Sequence, residues 1–251
     1  MERRAKKLGQ CFLSDHRVID REIDYAAPEG KTVLEIGAGD GRLTMRLAEK
    51  AKHVLAVEKD DRMLEFLLPL VERYHNLEIL HGDFLELDFS DRRFDVIFSN
   101  VPYVISSPLL FKLVAIRFDR AVLCFQKEFV ERLLAKPGDK SRSRLSVMSQ
   151  LHFDIWGLER VPRTAFRPKP KVDSTIIELH RRDFRTTEFQ SDFINKLFQH
   201  KVRTVRRALR DAYGWKAAAL KTKFDERRVF SLTNEEVLKL AKELEPLLAS
   251  Q

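Results

Sequence analysis

The chain has 251 residues, 44% hydrophobic and 33% charged, with a formal net charge of +8. That length accommodates one large α/β domain with a smaller appendix, and no uncharged apolar run approaches the roughly 18 residues that a bilayer span requires. Cys11 and Cys124 show neither CxxC nor Cys/His spacing, so neither a disulfide framework nor a zinc site is expected, and two lone thiols suit a reducing, cytoplasmic interior.

The first ten residues, MERRAKKLGQ, are basic and lead into no apolar stretch of signal-peptide type. A helix is predicted over Ser14–Ala26, followed by a strand over Thr32–Ile36. That strand runs into TVLEIGAGDGRLT, where Gly37, Gly39 and Gly41 permit a tight turn and let backbone amides and a helix N-terminus approach a ligand. The spacing is G-x-G-x-G. A dinucleotide fingerprint wants a third glycine where Arg42 stands, which disfavours a nicotinamide or flavin site.

A helix over Leu43–Ala51 and a strand over His53–Glu58 come next. Glu58 ends that strand at the spacing where a carboxylate accepts hydrogen bonds from ribose hydroxyls. After a helix over Arg62–Tyr74, the strand Leu77–His81 leads to Asp83, which can accept from an adenine amino group while Phe84 supplies apolar contact; read alone, Asp83 is an Asx turn. The strand Phe94–Ser99 then runs directly into Asn100, Pro102 and Tyr103, and a helix follows over Pro108–Ile116, capped by Ser106 or Ser107. Successive strands thus end in groups suited to the parts of an adenosine.

Further strands are predicted at Ala121–Phe125, Leu145–Phe153 and Thr175–His180, with a helix over Lys127–Leu134, giving seven strands in all. KPGDKSRSR (136–144) and RVPRTAFRPKPKV (160–172) read as irregular linkers, the second broken by three prolines. Beyond about residue 182 the pattern turns helical. Phe189, Phe193, Leu197, Val202, Val205 and Leu209 recur at helical spacing, and Asn234–Leu248 follows a Thr233 N-cap. Residues 181–251 hold 16 Lys/Arg against 10 Asp/Glu, and residues 196–210 hold six basic and no acidic side chains, either a solvated face or a surface for a polyanion. The histidines are scattered singly and read as structural or surface groups. The chain divides into a domain over 1–182 and a helical domain over 183–251.

The glycine turn, Glu58 and Asp83, together with LGQCFL (8–13), NVPY (100–103) and FRPKPKVDSTI (166–176), closely resemble the ribosomal RNA adenine dimethyltransferases, in an archaeal-type form. The resemblance covers residues 7 to 180, with a weaker echo in HKVRTVRRALRDA. It implies an α/β, seven-stranded, Rossmann-like class I methyltransferase core with a small all-helical C-terminal domain. The activity implied is S-adenosylmethionine-dependent dimethylation of N6 on two adjacent adenosines near the 3′ end of small-subunit (16S-type) ribosomal RNA during ribosome biogenesis. Donor contacts are implied for Gln10, Cys11, Leu13, Gly37, Gly39, Glu58, Asp83, Phe84 and Asn100. Many members carry Asn where Cys11 stands, which leaves a backbone contact there, and many carry Tyr-Gly where this chain has Arg142 and Ser143.

An exocyclic adenine amine is a poor nucleophile because its lone pair is delocalised into the ring. With its two hydrogens held by the Asn100 side-chain oxygen and the Pro102 carbonyl, the nitrogen can pyramidalise toward the methyl donor. Tyr103 would stack on a base taken from a loop or extruded from a duplex, and Phe166 would cover its other face. RNA phosphates would be met by Arg142, Arg144, Arg163, Arg167, Lys169 and Lys171, by Lys201, Arg203, Arg206, Arg207 and Arg210, and by the N-terminal Arg3, Arg4, Lys6 and Lys7. The expected partner is the pre-30S particle, bound by a monomer. The rival readings are a large-subunit RNA methyltransferase and an assembly factor that mainly binds.

Overall fold

The computed structural model describes residues 11–218 and 221–249. Gln10 and the basic residues Arg3, Arg4, Lys6 and Lys7 lie outside the described residues. The chain forms two compact units: one comprises the residues up to Val130 together with Asp154–Arg181, the other Glu131–Phe153 together with the residues from Arg182 onward.

A two-residue strand β1 (Phe12–Leu13) leads to helix α1 (His16–Ala26). Asp15 caps α1 by accepting from the Arg17 N–H at 3.0 Å, and the helix buries Val18, Ile19, Glu22, Ile23 and Ala26 along one face. Then follow β2 (Thr32–Ile36), α2 (Arg42–Ala48), β3 (His53–Glu58), α3 (Leu64–Arg73), β4 (Leu77–His81), β5 (Arg93–Asn100), α4 (Ser106–Leu113), β6 (Arg117–Gln126) and α5 (Lys127–Leu133). This alternation of short apolar strands with helices is the pattern that builds a wound sheet. After α6 (Arg144–His152) come β7 (Phe153–Val161), β8 (Phe166–Arg167) and β9 (Ser174–Arg181).

The sheet has seven strands in the order β4-β3-β2-β5-β6-β9-β7. Strands β2 to β6 pair in parallel, and β9 runs antiparallel to β6. Val33, Leu34 and Ile36 of β2 are buried, as are Val54 to Val57 of β3, because helices cover both faces of a parallel sheet. The carboxyl ends of β2, β3, β4 and β5 therefore share one edge, with the order reversing at β2. Open α/β sheets bind ligands at that edge.

Six of the seven predicted strands lie where the sequence puts them. The seventh does not: residues 144–152 are α6, and the strand is Phe153–Val161. Leu145, Ser146, Val147, Met148, Ser149 and Leu151 are all buried, so no polar face marks the helical period, and a fully buried run of this length does not reveal its type by pattern. The residue 160–172 linker is also more ordered than its prolines suggest. It holds a 3₁₀ turn at Arg163–Ala165 and the strand β8, which pairs antiparallel with β1 in the register Phe12↔Arg167 and Leu13↔Phe166.

The second unit contains α6, α7 (Glu188–Gln199), α8 (Val205–Tyr213), the short α9 (Trp215–Ala218) and α10 (Asn234–Ala249). Helix α7 packs on α6, α8 and α10, burying Phe193, Ile194, Leu197 and Phe198. Thr233 caps α10 reciprocally: its Oγ1 accepts from the Glu236 N–H at 3.2 Å, and its own N–H donates to Glu236 at 2.9 Å. Two expectations are corrected here. The stretch 131–153, assigned by sequence to the first domain, belongs to the helical unit. The basic stretch 196–210 is two helices with a break between Gln199 and Val205, and Val202 in that break is exposed rather than core.

Candidate active site

The sheet's carboxyl edge opens into a cavity of about 400 Å³. Gly37, Gly39, Glu58, Asp83, Phe84, Asn100, Pro102, Tyr103, Cys11 and Leu13 all line it, so four separate loops and the β1 segment converge there.

The glycine loop works differently from the expectation that its amides would meet a ligand. The N–H groups of Gly37 and Ala38 donate to the Val57 carbonyl at 2.8 and 3.1 Å, and that of Gly39 donates to the Glu58 carboxylate at 2.8 Å. The loop's contribution is space. Gly39 has φ +58, and a Cβ there would lie 2.9 Å from the Phe12 ring. Glu58 is buried, and its other oxygen accepts from the Lys59 and Asp60 N–H groups at 2.9 and 2.8 Å. Three backbone donors thus hold a carboxylate at the wall of the cavity, its remaining lone pairs available to further donors.

Asp83 makes the Asx turn, accepting from the Leu85 N–H at 2.9 Å, and also meets Lys59 Nζ at 2.5 Å. The Lys59 ammonium holds the Asp83 carboxyl below its usual range. Phe84 is buried and stacked on Phe89, with ring centroids 5.6 Å apart. Lys59 was not singled out from the sequence, because its pairing with residue 83 exists only once β3 and β4 lie side by side. Arg42, the residue that breaks the dinucleotide fingerprint, has contacts that the sequence reading did not assign. It bridges to Asp40 at 3.0 Å and donates to the Leu13 carbonyl at 3.4 Å, tying β1 to the glycine loop.

Asn100 ends β5, half-buried, and its amide makes no hydrogen bond among the described residues. The Pro102 carbonyl accepts from the Ile105 N–H at 3.0 Å inside the turn Tyr103–Ile105, which fixes its direction and leaves one lone pair. The Pro102 ring would lie 3.7 Å from a Cβ at position 37, so the glycine there also admits the proline. The Tyr103 hydroxyl bonds to the Ser174 hydroxyl at 3.1 Å, and burial pushes its pKa up to about 12. Ser106, expected as a cap, is the first residue of α4 and donates to the Tyr103 carbonyl at 3.1 Å.

Two predicted roles are overturned. Phe166 is 1% exposed and packs in the apolar core with Leu13 and Val161, so it does not cover a base; its pairing in β8 opposite Leu13 turns the ring inward. Arg142 is fully buried and donates to the Ala135 carbonyl at 3.0 Å, the Gln150 side chain at 3.3 Å and Asn234 Oδ1 at 2.6 Å. It is an internal strut, not a surface cation. The other predicted cations are exposed at Arg144, Arg167, Lys169, Arg203, Arg206, Arg207 and Arg210. Some are engaged: Arg206 bridges to Asp225 at 3.1 Å and Arg210 to Asp211 at 3.2 Å. Lys201 is half-buried and donates to the Lys140 and Arg142 carbonyls at 2.9 and 3.2 Å.

The family model for ribosomal RNA adenine dimethylases matches residues 1–245. A probable ribosomal RNA small subunit methyltransferase A from Thermococcus sibiricus is 40% identical over 257 residues, covering 97% of this chain and 92% of that protein. One from Methanococcus maripaludis is 40% identical over 215 residues, covering 84% and 82%. Among solved structures, a dimethyladenosine transferase from Plasmodium falciparum superposes with a TM-score of 0.78 at 32% identity, covering 94% of this chain and 98% of that one. The 23S rRNA methyltransferase ErmE superposes with a TM-score of 0.69 at 29% identity, covering 93% and 99%. With a wound sheet, a cavity at its switch point and a match over nearly its whole length, the chain belongs to the ribosomal RNA adenine dimethylase family.

Proposed function

We propose that this rRNA adenine dimethyltransferase acts on N6 of two adjacent adenosines near the 3′ end of small-subunit ribosomal RNA, as a cytoplasmic monomer on the pre-30S particle. The observation that carries the reading is the Asn100 side-chain amide, which has no hydrogen-bond partner among the described residues and lines the cavity with a Pro102 carbonyl that a turn holds in place. No helix among the described residues is long and apolar enough to cross a membrane.

The residues present fit S-adenosylmethionine. The cavity is of ligand size, its carboxylates at Glu58 and Asp83 offer acceptors for ribose hydroxyls and an adenine amine, and Phe84, Cys11 and Leu13 also line it. The donor supplies an activated methyl group. Asn100 Oδ1 and the Pro102 carbonyl take the two hydrogens of the target amine, which frees its lone pair, and the Tyr103 ring holds the base. The methylated amine is acidic enough to lose its proton to water, so the site's contribution is orientation and electrostatics. With Phe166 in the core, Tyr103 is the one of the two predicted aromatics that can meet the base. The exposed Arg144, Arg167, Lys169, Arg203, Arg206, Arg207 and Arg210 position RNA by its phosphates without reading sequence.

The test is transfer of labelled methyl groups to purified, unmodified small and large subunits, followed by nuclease mapping of the label. Label at two neighbouring adenosines near the small-subunit 3′ end is expected. Label confined to large-subunit RNA would favour the ErmE-like activity instead, a reading that the likeness to that enzyme keeps in play. Assembly that survives loss of transfer would mark the binding role as independent.

A further inference from the structure

Ser174 opens β9, is 0% exposed, and sits opposite Gln126 in the antiparallel β6–β9 pair. Its hydroxyl meets the Tyr103 hydroxyl 3.1 Å away. The sequence places these residues 71 positions apart, and the Tyr103 ring is otherwise carried on a single 3₁₀ turn between a strand and a helix. A ring on such a turn has rotamer freedom that a stacking surface must lose before it can help. A bond to a fully buried hydroxyl in the sheet removes that freedom.

Cys124 of β6 and Glu22 of α1 are two further buried polar groups. Cys124 and Glu22 are 2% and 1% exposed, and neither Glu22 oxygen has a hydrogen-bond partner among the described residues. Burial pushes the Glu22 pKa up to about 8, so at neutral pH it is a carboxylic acid that can donate. The Ser174–Tyr103 contact ties the sheet to the cavity, and the roles proposed for Asn100 and Pro102 do not use it.

We propose that Ser174 is a positioning residue for methyl transfer: its hydroxyl anchors the Tyr103 hydroxyl and so fixes the ring against which the target adenine stacks. The inference rests on the stacking role given to Tyr103 under the proposed function. Ser174 touches neither donor nor base; it acts through Tyr103.

The experiment is a double-mutant cycle of Ser174→Ala, Tyr103→Phe and the pair, assayed for labelled methyl transfer to unmodified small subunits, with S-adenosylmethionine affinity measured separately by calorimetry. Each single variant is expected to lower kcat by about 10-fold, the scale of one lost orienting hydrogen bond. Donor affinity should stay within about twofold, and the double variant should be no slower than Tyr103→Phe alone. Losses that multiply in the double variant, or a Ser174→Ala enzyme with wild-type kcat, would overturn the anchoring role. Should Ser174→Ala fail to bind donor, Ser174→Cys, close in size with a weaker donor, takes its place in the same cycle. If the wild-type enzyme itself transfers nothing to small-subunit RNA, the functional reading fails; an active wild type with multiplicative losses overturns only the Ser174 assignment.

Discussion

The sheet's carboxyl edge and the helical unit use polar residues in opposite ways. At the edge, Glu58, Asp83 and Asn100 are few, and each stands at the end of its own strand or just past it, oriented by backbone donors or, for Asn100, without a side-chain partner among the described residues. In the helical unit cations are plentiful, yet Arg142 is a buried strut, Lys201 donates to carbonyls, and Arg206 and Arg210 pair with aspartates. Charge density therefore locates a surface, whereas position at a strand end locates a site. The physical reason is that strand ends converge in space, while a basic helical run disperses its side chains around an axis and satisfies many of them locally.

The contrast can be broken most sharply at Asn100. Asn100→Ala should lower methyl transfer by about 10²- to 10³-fold, the scale of removing one preorganised hydrogen-bonding group from an active site; labelled transfer to small subunits measures it, and retained activity would remove the distinction between edge and appendix. Arg142→Ala should do the reverse. It leaves the Ala135 carbonyl and Asn234 without a charged donor and should destabilise the chain by about 2–4 kcal/mol in denaturant unfolding, while S-adenosylmethionine affinity is unchanged. Weaker salt dependence of RNA binding in a folded Arg142 variant would restore it as a surface cation.

A third measurement sharpens the comparison through pH. Glu22 holds its proton to about pH 8 in the folded chain, against an ordinary value of 4.5. The folded state therefore binds more protons than the unfolded state across that window, so stability falls as pH rises through it and levels off above pH 8. Glu22→Gln should remove this pH dependence, about 4 kcal/mol between pH 5 and 9, read from urea unfolding at each pH. An unchanged slope would mean the carboxyl is not held neutral. The smallest effect is expected at Arg207, exposed on α8. Arg207→Ala should reduce the slope of log affinity against log salt for small-subunit RNA by about 0.7 to 0.9, one phosphate contact, with kcat at saturating RNA unchanged.

Much of the site was legible before any fold was known. Gly37, Gly39, Glu58, Asp83 and Asn100 follow predicted strands at spacings set by the length of a βα unit, so their convergence follows from the wound topology alone. Arg42, standing where a dinucleotide fingerprint has its third glycine, disfavoured a nicotinamide or flavin site through its bulk. What the pattern misread were fully buried segments. Helix α6 carries apolar or small residues on most sides and shows no period, and Phe166 and Arg142 each sit in a stretch whose prolines or cations suggested exposure.

The order of the strands, the chemistry at their ends and the helical character of the tail were thus determined by the sequence, because they rest on local periodicity and on short motif spacings. Only the tertiary structure decided which motif residues face the cavity. Pairing of β1 with β8 sends Phe166 into the core; adjacency of β3 and β4 brings Lys59 to Asp83; the β6–β9 pair carries Ser174 to Tyr103 across 71 residues. Each is a long-range contact between side chains whose direction depends on strand register, and register is set by which partner a strand finds rather than by its own residues.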